Sequence, residues 1–145
     1  MKGIRNQFEP SLTRSKAWIR ELMEEAGWEE PARAYSTLRA VLHTLRDRLT
    51  PHEAADLASN MPMMIRGLYF EGWHPENRPR RYRHREEFLE RVENIYARNQ
   101  GQELEDAIVA VFRVIERHVP EGEISKVKGQ LPRDIRTLWP EPAKT

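Results

Sequence analysis

The sequence predicts an all-α protein of eight helices, built as two tandem pseudo-symmetric four-helix repeats that pack as one bundle-like domain. Apolar residues recur at three- and four-residue steps in segment after segment, which is typical of amphipathic helices. In addition, residues 34–70 align without a gap with residues 104–140, a shift of 70 positions, and their apolar positions match almost one for one. The seven identities are Ala40/Ala110, Val41/Val111, Glu53/Glu123, Pro62/Pro132, Ile65/Ile135, Arg66/Arg136 and Leu68/Leu138.

Composition limits the classes of protein to which this chain can belong. Of its 145 residues, 32% are charged and the net charge is +1, so no global field steers it toward nucleic acid or membrane. The absence of cysteine excludes disulfides and thiolate sites. The start lacks the apolar core of a signal peptide, and no run approaches the roughly 18 apolar residues of a membrane span. We expect a cytoplasmic bacterial protein with no membrane partner.

The N-terminal region is interpreted as an extended arm followed by a helix. Residues 1–10 show no periodicity and end at Pro10, which predicts an extended arm. A helix over about 12–26 follows, and Gly27 has the position of a C′ glycine, with Trp28 folding back onto the helix. The apolar stripe of this helix consists of Trp18, Ile19, Leu22, Met23 and Ala26.

The first repeat, residues 11–73, is predicted to contain three further helices. The second helix, over about 31–49, has an apolar face of Ala34, Leu38, Val41, Leu42, Leu45 and Leu49. Its predicted solvent face consists of Arg39, Arg46, Asp47 and Arg48. The third helix begins with a predicted capping box, in which Thr50 accepts from the Glu53 amide and the Glu53 carboxylate reaches back to the cap amide. The fourth runs from about Pro62 to Gly72.

A basic linker, residues 74–85, leads to the second repeat, predicted over residues 86–140. The helix from Leu104 to Val119 has the widest apolar stripe of the chain. We therefore expect it to be the most buried helix and to pair centrally with its counterpart in the first repeat. Pro120 stands where the first repeat has a threonine, so it cannot supply a hydroxyl cap. The tail, residues 141–145, is expected to fray.

The linker and its flanks carry motifs that resemble those of a bacterial family. The motifs are Met61-Pro62 with Ile65-Arg66 and Leu68, the turn Tyr69-Phe70-Glu71-Gly72-Trp73, the helix start Arg85-Glu86-Glu87-Phe88-Leu89, and Leu131-Pro132 with Ile135-Arg136. On these motifs, over roughly residues 15–140, the chain resembles the family known as domain of unknown function 2267. The resemblance implies two tandem helical repeats joined by a basic linker and a bacterial origin. It implies no catalytic residue, because the family has no agreed activity.

Five linker arginines are candidate anion- or nucleic-acid-binding residues: Arg78, Arg80, Arg81, Arg83 and Arg85. With Tyr82 among them and Trp73 beside them, they fit a segment that follows phosphates and stacks on bases. The alternative is that they are solvated or pair with nearby acids, and exposed pairs contribute only about 0–1 kcal/mol each. We favour this alternative, so nucleic acid is not the favoured partner.

Residue spacing predicts no metal or cofactor site. The run from His52 to Asp56 lacks the second histidine of an H-E-x-x-H motif. Glu53 and Glu123 recur at the shift of 70, and this recurrence allows either a pair of carboxylates or two acids that stabilise helix starts, of which we favour the second. The two matching arginines of the alignment are interpreted as bonding carbonyls at helix ends. No catalytic residue is predicted, although an acid pair formed only by tertiary structure would have no sequence signature.

Met63 and Met64 are a candidate partner surface. The two residues cannot both lie on one apolar stripe, so at least one of them should be exposed. No phosphate-binding glycine loop or nucleophile motif is present, so we expect no enzyme. The favoured function is a non-catalytic binding or assembly module that self-associates, as a homodimer, or binds a protein partner. The alternative is nucleic-acid or polyanion binding through residues 74–85.

Overall fold

The computed structural model describes residues 2–75, 81–96, 99 and 101–140. Every regular element in these residues is helical, so the predicted all-α class is confirmed. The helices are α1 (Lys2–Ala26), α2 (Pro31–Arg48), α3 (Pro51–Ala58), α4 (Met63–Phe70), α5 (Arg85–Ile95), α6 (Gly101–His118), α7 (Glu121–Gln130) and α8 (Arg133–Arg136). Within the described ranges, no helix is both long and apolar enough to cross a membrane.

The helices α2 and α6 pack against each other at the centre, as the sequence predicts. The expectation that α6 is the most buried helix is wrong, because ten of the 18 residues of α2 are buried and only eight of the 18 of α6. The difference arises from how much of each central helix is covered by its neighbours. The full-length α4 packs against α2, whereas its counterpart α8 has only four residues and packs against α5.

Most helix contacts occur in pairs that the shift of 70 residues relates, the contact of α2 with α4 being an exception. α1 packs against α2, α4 and α6, and α5 correspondingly packs against α6, α8 and α2. The short helices α3 and α7 pack against each other. Two repeats related by a twofold axis would make these contacts. The repeat relation and the repeat boundaries stay predictions from the sequence.

The extended N-terminal arm is a wrong prediction, because residues 2–10 form the first turns of α1. A proline inside a helix removes one backbone hydrogen bond without obliging the helix to end, and α1 continues through Pro10. The carbonyl left without a donor belongs to Asn6, which is exposed and therefore accessible to water. Residues 3–10 are all exposed, so this end of α1 extends beyond the rest of the molecule.

Two predicted helix-end contacts are confirmed. Gly27 has a φ of 72°, and the Trp28 amide donates to the Met23 carbonyl oxygen at 2.9 Å. The Arg66 guanidinium donates to the carbonyl oxygens of Ala58 and Met61, each at 3.0 Å. The end of α3 is therefore held by a side chain of α4.

The polar side of α2 is not the solvent face that the sequence predicts. Arg46 is only 6% exposed, and its Nη1 donates at 2.9 Å to the carbonyl oxygens of both Tyr69 and Glu71 at the end of α4. His43 is also buried, and its Nε2 lies 2.8 Å from the Leu68 carbonyl oxygen. Burial lowers the pKa of His43. These side chains supply the donors that the last carbonyls of a helix lack.

We predict that Arg46→Met lowers the free energy of unfolding by about 2–4 kcal/mol, because it leaves buried carbonyl groups without donors. Urea denaturation measures this loss. Arg39→Met is the matched control, because it removes an exposed ion pair with Glu71, and its loss should be much smaller than that of Arg46→Met. Equal losses in the two variants would contradict the role of Arg46.

Candidate functional site

The starts of α3 and α7 differ from the capping that the sequence predicts. Thr50 Oγ accepts from the Glu53 amide at 3.3 Å, so this half of the capping box is confirmed. The Thr50 amide, however, donates to Gln130 Oε1 at 3.0 Å, and the predicted return bond from the Glu53 carboxylate is therefore wrong. At the start of α7, Pro120 has no amide hydrogen to donate. Neither helix start engages the carboxylate of its third residue.

The carboxylates of Glu53 and Glu123, which do not cap their own helices, meet between α3 and α7. Carboxylate oxygens of Glu53, Glu123 and Asp56 all lie within 4.8 Å of one another. Glu53 is only 4% exposed, whereas the other two acids are partly exposed. Among the described residues, neither Glu53 Oε1 nor Glu123 Oε1 has a hydrogen-bond donor, although both atoms are inaccessible to solvent.

The environment of Glu53 favours its neutral form. Burial, followed by a hydrogen bond with Glu123 and the charges of Glu123 and Asp56, raises the pKa of Glu53 to about 7, while Lys126 lowers it. Near neutral pH this carboxyl group therefore exchanges its proton readily. Such a pair can share one proton or, with both acids ionised, provide oxygen ligands to a cation. From the sequence, the matched positions of the two glutamates allow a carboxylate pair, but the helix-start role that the sequence favours for both does not describe this arrangement.

Met63 and Met64 are both exposed, at 56% and 60%, which leaves the predicted partner surface open to solvent. Met63 also lines a cleft of about 430 Å³ between α1 and the turn before α4. Ser11, Arg14 and Trp18 of α1 form the opposite wall of this cleft. Met63 therefore lies next to the segment of α1 where its residues become exposed.

A second apolar surface lies along α1 and was missed in the sequence analysis. Ile4, Phe8 and Leu12 are exposed at 53%, 58% and 40%, and they follow each other at steps of four residues. This spacing continues the buried face of α1, on which Ser15 and Leu22 lie. We call Ile4, Phe8 and Leu12 the α1 stripe. The proline that suggested an extended arm hid this periodicity.

An open apolar groove of about 570 Å³ lies between α1 and α2, along the part of α1 that follows the stripe in the chain. Ile19 and Met23 of α1 form one wall, and Ala32 and the exposed Tyr35 of α2 form the other. The basic side chains of Lys16 and Arg20 stand at its edge.

The structure separates the candidate arginines of the linker. Arg78 and Arg80 lie outside the described residues, whereas Arg81 and Arg83 are exposed. Arg85 begins α5, and its Nη2 donates to Glu105 at 2.6 Å.

The aromatic residues of the linker region are engaged within the fold. Tyr82 is buried, and its hydroxyl donates to the Thr44 carbonyl oxygen. Trp73 is partly buried, and its ring lies 5.1 Å from that of Phe70. In this conformation Tyr82 is not available for the base stacking that the sequence suggested.

Comparison with known proteins identifies a family and no activity. A family model described as an uncharacterised conserved protein, DUF2267, matches residues 15–138. No curated protein matches the chain. The matched region includes both acids of the α3–α7 pair and the C-terminal half of α1, residues 15–26, but not the exposed first turns of that helix.

We predict that Glu53→Gln stabilises the protein at alkaline pH when cations are removed with EDTA. The raised pKa means that the folded chain binds more protons than the unfolded chain between about pH 4.5 and pH 7, so stability falls across that window. An amide removes this loss and should raise the free energy of unfolding by about 1–3 kcal/mol above about pH 8, with little change below about pH 4.5.

Chemical denaturation across this pH range measures the difference, with Glu121→Gln as the control for loss of an acid from the first turn of α7. A stability change that is the same at both ends of the range would count against the proton-sharing pair.

Proposed function

The chain belongs to the DUF2267 family, and we propose that it is a non-catalytic assembly module of the bacterial cytoplasm in which two copies pair along α1. The observation that carries this proposal is the α1 stripe. Its three side chains continue the core-facing side of a helix beyond the body of the protein, where no described residue buries them. Apolar side chains at this spacing are typical of a helix surface that packs against another helix.

The charges of α1 favour an antiparallel arrangement of two copies. Residues 2–20 of α1 contain five basic residues and one acid, whereas residues 21–26 contain three glutamates and no basic residue. Two antiparallel copies bring the basic N-terminal end of each α1 next to the acidic C-terminal end of the other. A parallel arrangement would place like charges together and would be disfavoured.

The same antiparallel arrangement gives the α1 stripe a surface to contact. It places Ile4 and Phe8 of one copy near Met23 and Ile19 of the other, at the open groove that Tyr35 also lines. α1 is roughly 37 Å long at 1.5 Å per residue, so the contact extends over most of the helix. Burial of apolar surface from both copies would supply the free energy of association.

We predict that Phe8→Glu shifts the protein from dimer to monomer, because it places a charge in the apolar contact. Light scattering coupled to size exclusion measures the mass over a range of concentrations. Asn6→Glu is the matched control: it adds the same charge to the same exposed end of α1, on the opposite face, and should leave the dimer intact.

Two further results would contradict pairing through α1. A wild-type protein that is monomeric at all usable concentrations excludes the dimer. A dimer that Met63→Glu or Met64→Glu dissociates, and that Phe8→Glu leaves intact, places the interface on the methionines instead.

Polyanion binding through the linker is the second candidate function, and the exposure of Arg81 and Arg83 favours it. Contacts with phosphates release counterions, so such binding weakens steeply as salt concentration rises. Because Tyr82 is buried, we expect phosphate contacts without base stacking. This function would therefore show little preference between single and double strands.

For this second candidate, we predict salt-sensitive binding to labelled oligonucleotides in fluorescence anisotropy. Changing Arg80, Arg81 and Arg83 together to Ala should abolish binding and flatten its salt dependence. The same variant should retain the wild-type dimer mass, because none of these three arginines belongs to α1. Loss of the dimer in this variant would indicate that dimer formation and polyanion binding use the same surface.

A further inference from the structure

We propose that the carboxylates of Glu53, Asp56 and Glu123 bind one hard divalent cation, of the Mg²⁺, Ca²⁺ or Mn²⁺ class, that joins α3 to α7. Two of the ligands belong to α3 and one to α7, so the cation would connect the two halves of the fold. This site is independent of the pairing surface on α1.

The donor set selects the class of cation. All three candidate ligands are carboxylate oxygens, and carboxylate-rich sites suit Mg²⁺, Ca²⁺ and Mn²⁺. The chain has no cysteine, and the nearby His52 is mostly exposed, with its Nε2 3.3 Å from Asp56 Oδ2. The set therefore lacks the thiolate and imidazole ligands that are typical of zinc sites.

The distances between the carboxylates agree with one shared ion. Ligand oxygens lie at about 2.0–2.6 Å from these cations, so two oxygens of one coordination sphere are separated by no more than about 5 Å. The three carboxylate oxygens lie within 4.8 Å of one another. The partly exposed Asp56 leaves one side open for water ligands and for entry of the ion.

The burial of Glu53 provides a second observation that points to a ligand. Its side chain is more than nine-tenths buried and directed toward Glu123, and over the described chain its Oε1 has no donor. A buried carboxylate oxygen without a donor is costly. The capping amides that would have engaged these acids are bonded to Gln130 at one helix and missing at Pro120 at the other.

Surrounding charges indicate how the cation competes with protons. Asp56 on α3 and Glu123 on α7 add negative charge at Glu53, Lys126 on α7 opposes them, and Tyr69 on α4 is held neutral because burial raises its pKa. At acidic pH, a proton shared by the two glutamates relieves the repulsion between them, but it makes no bond to Asp56. A divalent cation engages all three acids, and because protons compete with it for the carboxylates, its affinity should fall at acidic pH.

The test is a titration of the wild-type protein with Mn²⁺ after treatment with EDTA, at about pH 8, above the titration of Glu53. Free Mn²⁺ is followed by electron paramagnetic resonance, and stability by thermal melting. We expect one Mn²⁺ per chain, displaced by Ca²⁺ or Mg²⁺. We also expect a rise in Tm of about 5–10 °C at a hundredfold excess over Kd, and weaker binding near pH 5.

Single substitutions test whether the proposed acids are the ligands of the cation. Asp56→Asn alters a partly exposed residue and should weaken Mn²⁺ binding at least about tenfold, as should Glu123→Gln, whereas Glu121→Gln should bind as the wild type does. Absence of stoichiometric binding by the wild type would overturn the proposal and leave a shared proton only. Binding that persists in both Asp56→Asn and Glu123→Gln would overturn it as well.

Discussion

The burial of α2 against α6 is the interaction on which the rest of the structure depends. A half of roughly 60 residues would be only marginally stable alone, and the two central helices give both halves a common core. Because ten of the 18 residues of α2 are buried, its buried polar groups need hydrogen-bond partners within the protein. Arg46 and His43 meet this need by bonding carbonyls at the end of α4, and Thr44 does so by donating to the Ala40 carbonyl oxygen. The polar groups of α2 thus position α4.

The central pairing also brings α3 and α7 together, and their contact creates the acidic pair. Each glutamate lies at a helix start, where a carboxylate is normally stabilised by backbone amides. In this fold a glutamine from the opposite helix bonds one cap amide and a proline removes the other. The two acids then face each other in a buried place, where like charges are unfavourable. Either a proton or a cation relieves that repulsion, so the same contact makes the stability of the protein sensitive to its ionic environment.

The two halves of α1 have different environments. Its C-terminal half belongs to the core, with Trp18 and Leu22 buried, and Glu21 and Glu25 pair with basic residues at the end of α6. Its N-terminal half keeps the same apolar spacing but leaves the body of the protein. A rigid helix that is anchored at one end and apolar at the other holds its exposed stripe in a defined direction. That rigidity lowers the entropic cost of forming a contact with a second copy.

The sequence by itself determined the helical class, the positions of most helices and the residues of the core. These properties depend on apolar spacing, and on local end signals such as Gly27, that act within a few residues. It also located the exposed methionines. Only the tertiary structure decided that Arg46 is buried, that Glu53 faces Glu123, that Tyr82 packs inward and that α1 continues through Pro10. The physical reason is that the first three depend on which distant elements meet, and that a single proline leaves either outcome open. Local patterns contain no information about the partner across a helix contact, and the acidic site consists of such a contact.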